Sequence, residues 1–327
     1  MKILIIGLGS MGKRRIRNLQ SLKAGEIVGF DLKEKRRKEV ETKYGIKTTD
    51  NLENLDFKKL DAIIVSTPPD KHNQYVKLAI EKRKPVMVEA SVVLEGLEKL
   101  NKKAKENKVL VAPSCTMRFY PAIKKIKELV KGGKFGKVTN FSYHMGHYLP
   151  DWHPWERVNK FYAGRKKTGG GREMVSFELT WIVDIVGFPK KFLGFFGRTM
   201  NFGANIDDTY VISLNFGKIL GNLTIDVVAR YATRSLIMNM ERGQISWRWD
   251  ENVIKLYNAR TKKWKMINLP KGKAEKGYNK NIIEEMYIDE VRAFIAAVNG
   301  KKKFPNSLSD DIAVLKILYG VEKQGNR

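Results

Sequence analysis

The chain has one cysteine, Cys115, in 327 residues. That excludes an internal disulfide and fits a reducing cytoplasm; beside Pro113 the thiol reads as a small core filler. No stretch approaches the roughly 18 unbroken apolar residues of a membrane span, so no membrane partner is expected. Residues 2–6 are a strand-like run that enters a glycine turn directly, which does not read as a signal peptide. Histidine is scarce, at four residues, and acids are outnumbered, 35 against 62 Lys and Arg, for a net charge of +27. The excess lies in short clusters over both halves, such as Lys301-Lys302-Lys303. A nucleic-acid binder concentrates charge on one face and adds a reading module; none is found, so no specific nucleic-acid partner is expected. A lysine-rich surface suits a hot-growing source and attracts phosphorylated substrates. There are no repeats, no low-complexity tracts and no long linker. The length and the 43% apolar fraction allow two domains with sizeable cores.

What is present is organised around the first thirty residues. Lys2-Ile3-Leu4-Ile5-Ile6 is followed at once by Gly7-Leu8-Gly9-Ser10-Met11-Gly12, a polar helical stretch (13–21), and Ile27-Val28-Gly29-Phe30 ending in Asp31. This is strand, G-x-G-x-x-G, helix, strand and acid. Gly7 permits the tight turn, Gly9 lets the backbone approach a pyrophosphate, and Gly12 lets helix pack on strand. The N–H groups opening the helix face the phosphate charges. Asp31 accepts from the ribose hydroxyls and favours NAD, since a carboxylate repels a 2′-phosphate. Lys33, Lys35, Arg36 and Arg37 read as a solvated helix face, although they could rescue NADP binding.

Strand and helix then alternate: helix 34–44, strand 62–65, helix 70–82, strand 85–88, helix 94–107 and strand 109–112. That pattern implies a doubly wound parallel sheet, with ligands at the carboxyl ends of its strands. Those ends are Gly7, Asp31, Ser66-Thr67-Pro68-Pro69 and Glu89-Ala90-Ser91. After Pro113 come a helix (121–131), a strand (137–145), an irregular aromatic stretch (146–171), a helix (172–186) and several strands (191–268). Two final helices follow, at 278–298 and 308–323. The expected architecture is α/β: a dinucleotide-binding domain over 1–118, and over 119–327 an α+β domain with a large open mixed or antiparallel sheet, its last helix able to pack back on the first domain.

Several motifs together resemble the glucose–fructose oxidoreductase/inositol dehydrogenase (Gfo/Idh/MocA) superfamily. They are the fingerprint 7–14, Ser66-Thr67-Pro68-Pro69 with His72, Arg118-Phe119-Tyr120-Pro121, Gly169-Gly170-Gly171 opening a helix, and Tyr287-Ile288-Asp289-Glu290 with Phe294. The resemblance runs through essentially the whole chain. It implies a Rossmann domain, a second domain whose sheet mediates homodimers or homotetramers, and hydride transfer between a nicotinamide and a hydroxyl-bearing carbon of a sugar, inositol or nucleotide-sugar. It also implies cofactor contacts from Ser66 to Pro69, His72, Glu89 and Ala90.

The departures are sharper than the matches. Members usually carry Glu-Lys-Pro where this chain has Glu89-Ala90-Ser91, and the lysine positions and polarises the reacting oxygen. Members also carry an Asp and a His four apart on the helix after the glycines, with a further Asp; here these are Glu173, Phe177 and Thr180. Residues four apart share a helix face, so one carboxylate survives without imidazole or ammonium. Oxidising an alcohol requires removal of its proton, and the substitutes are His147, Tyr148 and Tyr120. The aromatic loop around them serves interface packing equally well. Trp152 and Trp155 could stack on a sugar; Arg165 and Arg172 could grip a carboxylate or phosphate. No metal is expected, since His144, His147, Asp151 and His153 lack fixed ligand spacing. The leading expectation is an NAD(P)-dependent oxidoreductase of sugars or nucleotide-sugars in which Glu173, with His147 or Tyr148, handles the proton. The rivals are a dinucleotide-binding regulator without turnover and an epimerase or eliminase using NAD transiently.

Overall fold

The computed structural model describes residues 1–275, 279 and 281–325. The chain forms two compact units, Met1–Thr116 with Tyr287–Ile312, and Met117–Met286 with Ala313–Arg327.

In the first unit, β1 (Lys2–Ile6), α1 (Ser10–Ser21), β2 (Glu26–Phe30), α2 (Glu34–Tyr44), β3 (Lys47–Thr49), β4 (Ala62–Val65), α3 (His72–Glu81), β5 (Val86–Val88), α4 (Leu97–Glu106) and β6 (Val111–Pro113) alternate as expected. The six strands are all parallel, in the order β3-β2-β1-β4-β5-β6. Order reverses between β1 and β4, which sets the binding crevice at their carboxyl ends. Ile3 to Ile6 and Ala62 to Val65 are at most 1% exposed, because helices cover both faces of a parallel sheet.

The second unit contains α5 (Pro121–Lys131), β7 (Val138–Tyr148), α6 (Gly171–Val186), β8 (Lys191–Gly197), β9 (Thr209–Asn215), β10 (Leu220–Asp226), β11 (Val228–Met240), β12 (Gly243–Arg248), β13 (Val253–Asn258) and β14 (Lys263–Asn268). Its eight strands run β14-β13-β12-β11-β7-β10-β9-β8, mixed because β7 and β10 are parallel while the other neighbours are antiparallel. Strand β7 is longer than expected. Its pairs with β11, Thr233 to Gly146 and Val228 to Tyr148, draw His147 and Tyr148 out of the anticipated loop into the sheet. Two helices end the chain, α7 (Glu284–Val298) and α8 (Leu308–Gly325). The expected helix start, Tyr278, lies outside the described residues.

The division differs from a single cut at residue 118. Tyr287–Ile312 belongs with the first unit, and the reason is specific. Glu290 of α7, fully buried, accepts from Ser114 Oγ (2.9 Å), the Cys115 N–H (2.6 Å) and Thr116 Oγ1 (2.8 Å) just beyond β6. The Tyr287 ring lies 4.2 Å below the Arg14 guanidinium. The start of α8 belongs to this unit as well, Asn101 Nδ2 of α4 donating to Ser309 Oγ at 3.1 Å. Among the described residues no helix is long and apolar enough to cross a membrane.

Candidate functional site

The glycine turn is built as the fingerprint requires. Gly7 has φ +93°, and a Cβ there would meet the Ser66 carbonyl oxygen at 2.7 Å; one on Gly12 would lie 1.9 Å from the Gly7 oxygen. Any side chain at 12 drives α1 off β1. Gly9 is different: a Cβ there would meet nothing nearer than the Arg36 guanidinium at 3.8 Å, so the space over this backbone is open. Helix α1 begins at Ser10 with no side-chain cap at Gly9 and no acid in its first turn. A helix start without an acidic side chain in its first turn suits a pyrophosphate.

Asp31 closes the turn, accepting the Leu8 N–H at 2.9 Å. Beyond β4, His72 Nε2 lies 2.8 Å from the Thr67 carbonyl, so Nε2 carries the proton and burial holds the pKa of this histidine down. Its Nδ1 and Thr67 Oγ1 are buried without a hydrogen-bond partner among the described residues. Two unsatisfied polar atoms beside an uncapped helix and an open glycine fit a dinucleotide, and Ser10 and Met11 present the backbone that would hold it. Glu89, after β5, has another role. Arg15 on α1 grips it with two bonds, Nε to Oε1 at 2.7 Å and Nη2 to Oε2 at 2.9 Å, and also reaches Glu290 Oε2 at 2.9 Å. Arg15 is fully buried.

In the second unit Glu173, in the first turn of α6, accepts from Tyr162 Oη at 3.1 Å. One turn on, Phe177 is half-buried on the same helix. Nearby in sequence, Glu178 is buried at the centre of a polar knot. It accepts from Tyr143 Oη and Trp181 Nε1, each at 2.7 Å, and from Arg234 Nε at 2.9 Å. Arg234 stacks on Trp249 at 4.4 Å and donates through Nη1 to His147 Nε2 at 3.3 Å. Arginine only donates, so the His147 proton sits on Nδ1.

Burial first, and Arg234 second, push the His147 pKa down to about 3. His147 is therefore neutral near pH 7 and a weak base there. Because the folded protein keeps His147 neutral while the unfolded chain protonates near 6.5, its contribution to stability is present above 6.5 and lost as pH falls toward 3. His147→Gln is expected to remove about 2 kcal/mol of the stability difference between pH 7 and pH 5, as read by urea unfolding at the two values. An unchanged difference would contradict this assignment.

Other expected residues are scattered in role. Tyr148 lies with its ring 4.0 Å under the Arg230 guanidinium. Tyr120 is 4% exposed and packs on Trp247 at 6.0 Å, a core position. Arg172 is occupied: its Nε lies 2.6 Å from Glu322 Oε1 and its Nη1 2.6 Å from the Lys167 carbonyl. It clamps the start of α6 to α8, which corrects the expectation of a substrate grip. Arg165 is exposed. Trp152 stands edge-on to His147, while Trp155 is 73% exposed. Among the described residues no group of three or more His, Cys, Asp or Glu could hold a metal ion.

Two family models match. One, described as an oxidoreductase family with an NAD-binding Rossmann fold, covers residues 1–114, and the other, the GFO/IDH/MocA C-terminal domain, covers 123–246. The chain belongs to the Gfo/Idh/MocA oxidoreductase family. The scyllo-inositol 2-dehydrogenase (NAD(+)) of Bacillus subtilis is 31% identical over 140 residues, 41% of each chain. The myo-inositol 2-dehydrogenase of Thermotoga maritima is 28% identical over 142 residues, 42% of each chain. These alignments span less than half of either relative. An oxidoreductase from Agrobacterium radiobacter, solved with NAD+, L-tartaric acid and magnesium, shares the fold at a TM-score of 0.88 and 13% identity, covering 100% of this chain and 96% of that one.

Membership gives the cradle its cofactor class, NAD. The polar groups that sequence reasoning missed are Tyr162, Glu178, Arg234 and Arg15. Two had a readable signal. Glu178 is an acid set between Phe177 and Leu179 in the apolar middle of α6, and such an acid needs a buried partner. Arg15 lies three residues after Gly12 and four before Leu19, on the buried face of α1. Tyr162, in an irregular stretch, had none.

Proposed function

We propose that this chain is an NAD-dependent oxidoreductase that moves a hydride to or from a hydroxyl-bearing or keto carbon of a sugar or nucleotide-sugar, with Tyr162 and Glu173 carrying the proton. The hydrogen bond from Tyr162 Oη to Glu173 Oε1, 3.1 Å long, carries this reading, because it supplies a proton path where lysine and histidine are missing. Bound NAD would supply the hydride acceptor. As the substrate O–H loses its proton to the Tyr162 oxygen, Tyr162 passes its own to Glu173; reduction runs the path backwards. A phenol linked to a carboxylate can act as acid or base in this way. The exposed Trp155 remains a proposed substrate contact, stacking on a sugar ring, and Tyr148 remains an alternative proton carrier.

Ala90 and Phe177 favour a second reading, a regulator that binds dinucleotide without turnover. A panel of sugars and nucleotide-sugars, followed by reduced-nicotinamide absorbance and by calorimetry, separates the two. Turnover with any member supports the enzyme. Tight NAD binding with neither turnover nor sugar binding supports the regulator. Reduced cofactor retained through net-redox-neutral conversion indicates transient oxidation.

We also propose that the open sheet face joins copies of this chain. In a molecule with 30% charged residues, the row Leu193, Ser213, Asn222, Ser142, Ile237 carries no charge. Leu193 and Phe195 on β8 are 69% and 82% exposed. Such an apolar, weakly charged surface is a docking surface. Phe195→Asp is expected to yield monomers by light scattering; an unchanged mass would refute this interface.

A further inference from the structure

Asp31 does not stand alone at the end of β2. Its Oδ2 accepts the Leu8 N–H at 2.9 Å and its Oδ1 the Lys33 N–H at 2.8 Å, and the residue is only 6% exposed. Over it lies Arg36, with Nη1 3.3 Å from Asp31 Oδ2 and the guanidinium 3.8 Å from where a Cβ on Gly9 would stand. Arg37 approaches from another side, donating to the Asp31 carbonyl at 2.8 Å and pairing with Asp50 at 2.8 Å. The acid at the end of the second strand is the group that meets the adenosine ribose. Arg36 therefore sits at the rim of the ribose position, while its side chain is 42% exposed. With its arginine this accessible and its single contact 3.3 Å long, the pair opens more readily than one buried on both sides.

We propose that Arg36 makes this chain accept NADP(H) as well as NAD(H), by donating to the 2′-phosphate of the one while Asp31 accepts from the ribose hydroxyls of the other. A bare carboxylate at this place rejects a 2′-phosphate by like charge. Here Arg36 offsets the carboxylate, and the neighbouring acids are already taken, Glu34 by Lys38 at 2.7 Å and Asp50 by Arg37. Lys33 and Lys35, both exposed, leave the rim net positive. A guanidinium presents a planar fork that matches two phosphate oxygens at once. The inference needs only the dinucleotide site and stands apart from the hydride chemistry proposed above.

The test is binding to the full chain without substrate. NADH and NADPH are titrated by nicotinamide fluorescence, and adenosine 2′,5′-bisphosphate is compared with 5′-AMP as a competitor. The parent is expected to bind the two coenzymes with dissociation constants within about tenfold of each other. In Arg36→Ala the ratio of the NADPH constant to the NADH constant rises about ten- to hundredfold, the worth of one charge-assisted hydrogen bond, and the bisphosphate loses its advantage over 5′-AMP. Added salt weakens NADPH binding more than NADH binding in the parent, and this difference shrinks in the variant. A parent with no measurable NADPH binding overturns the proposal. So does a ratio that stays within about threefold of the parent's in Arg36→Ala.

Discussion

Arg15→Met is expected to cost the first unit about 3–5 kcal/mol, the usual penalty for removing one partner of a buried ion pair. The loss comes from what is left behind. Glu290 is fully buried and Glu89 nearly so, at 14% side-chain exposure. Both lose the guanidinium that neutralises them, Glu290 keeping Ser114, Cys115 and Thr116 as donors and Glu89 keeping Ser66 Oγ at 3.3 Å. A thermal melt should shift down by roughly 10 °C. Adding Glu290→Gln to Arg15→Met should recover part of the loss, since it removes one unpaired charge. A melt within about 2 °C of the parent would show that the triad does not hold α1, β5 and α7 together.

That triad also marks the limit of sequence reading. The glycines were legible because their requirement is local: at Gly12 only a hydrogen fits against the Gly7 oxygen. The parallel strands were legible because double burial leaves an unbroken apolar run. Arg15 lies on the face of α1 that the spacing of Gly12 and Leu19 buries, but nothing near it in sequence names the acid it meets, Glu290 of α7. Arg172 was misread for the same reason, since Glu322 lies 150 positions away. Local periodicity reports which face is buried and is silent on which distant charge meets it there. The end of β7 shows a related limit. Its last residues join the sheet because β11 pairs with them, a choice made by the partner strand more than by the local sequence.

The cofactor half and the substrate half differ in legibility on physical grounds. A pyrophosphate is bound largely by backbone, and backbone demands glycine at fixed spacing. A sugar is bound by side chains, and many residue types can donate or accept. The sequence reading that set Ala90 and Phe177 in place of a lysine and a histidine therefore named no single substitute. Tyr162 became visible once the chain path brought its hydroxyl to Glu173.

Glu173→Gln is accordingly the decisive substitution for the chemistry. Glutamine keeps the size of glutamate, and its amide oxygen still accepts from Tyr162 Oη, so the melting temperature should stay near that of the parent. What it cannot do is take a proton. If Glu173 is the terminal acceptor, turnover should fall by about 10²- to 10⁴-fold, the range for losing a general acid–base group, while NAD affinity, set by Gly7 to Asp31 in the other unit, is unchanged. The acidic limb of the kcat profile, which reports ionisation of the base in the substrate complex, should flatten. Tyr162→Phe should lower turnover comparably, and the double substitution should cost little more than either alone, because residues acting as one relay are not additive. Turnover within about tenfold of the parent in Glu173→Gln would remove Glu173 from the proton path and return the question to Tyr148. A strictly additive double variant would separate Tyr162 from Glu173, leaving the hydrogen bond between them a packing contact.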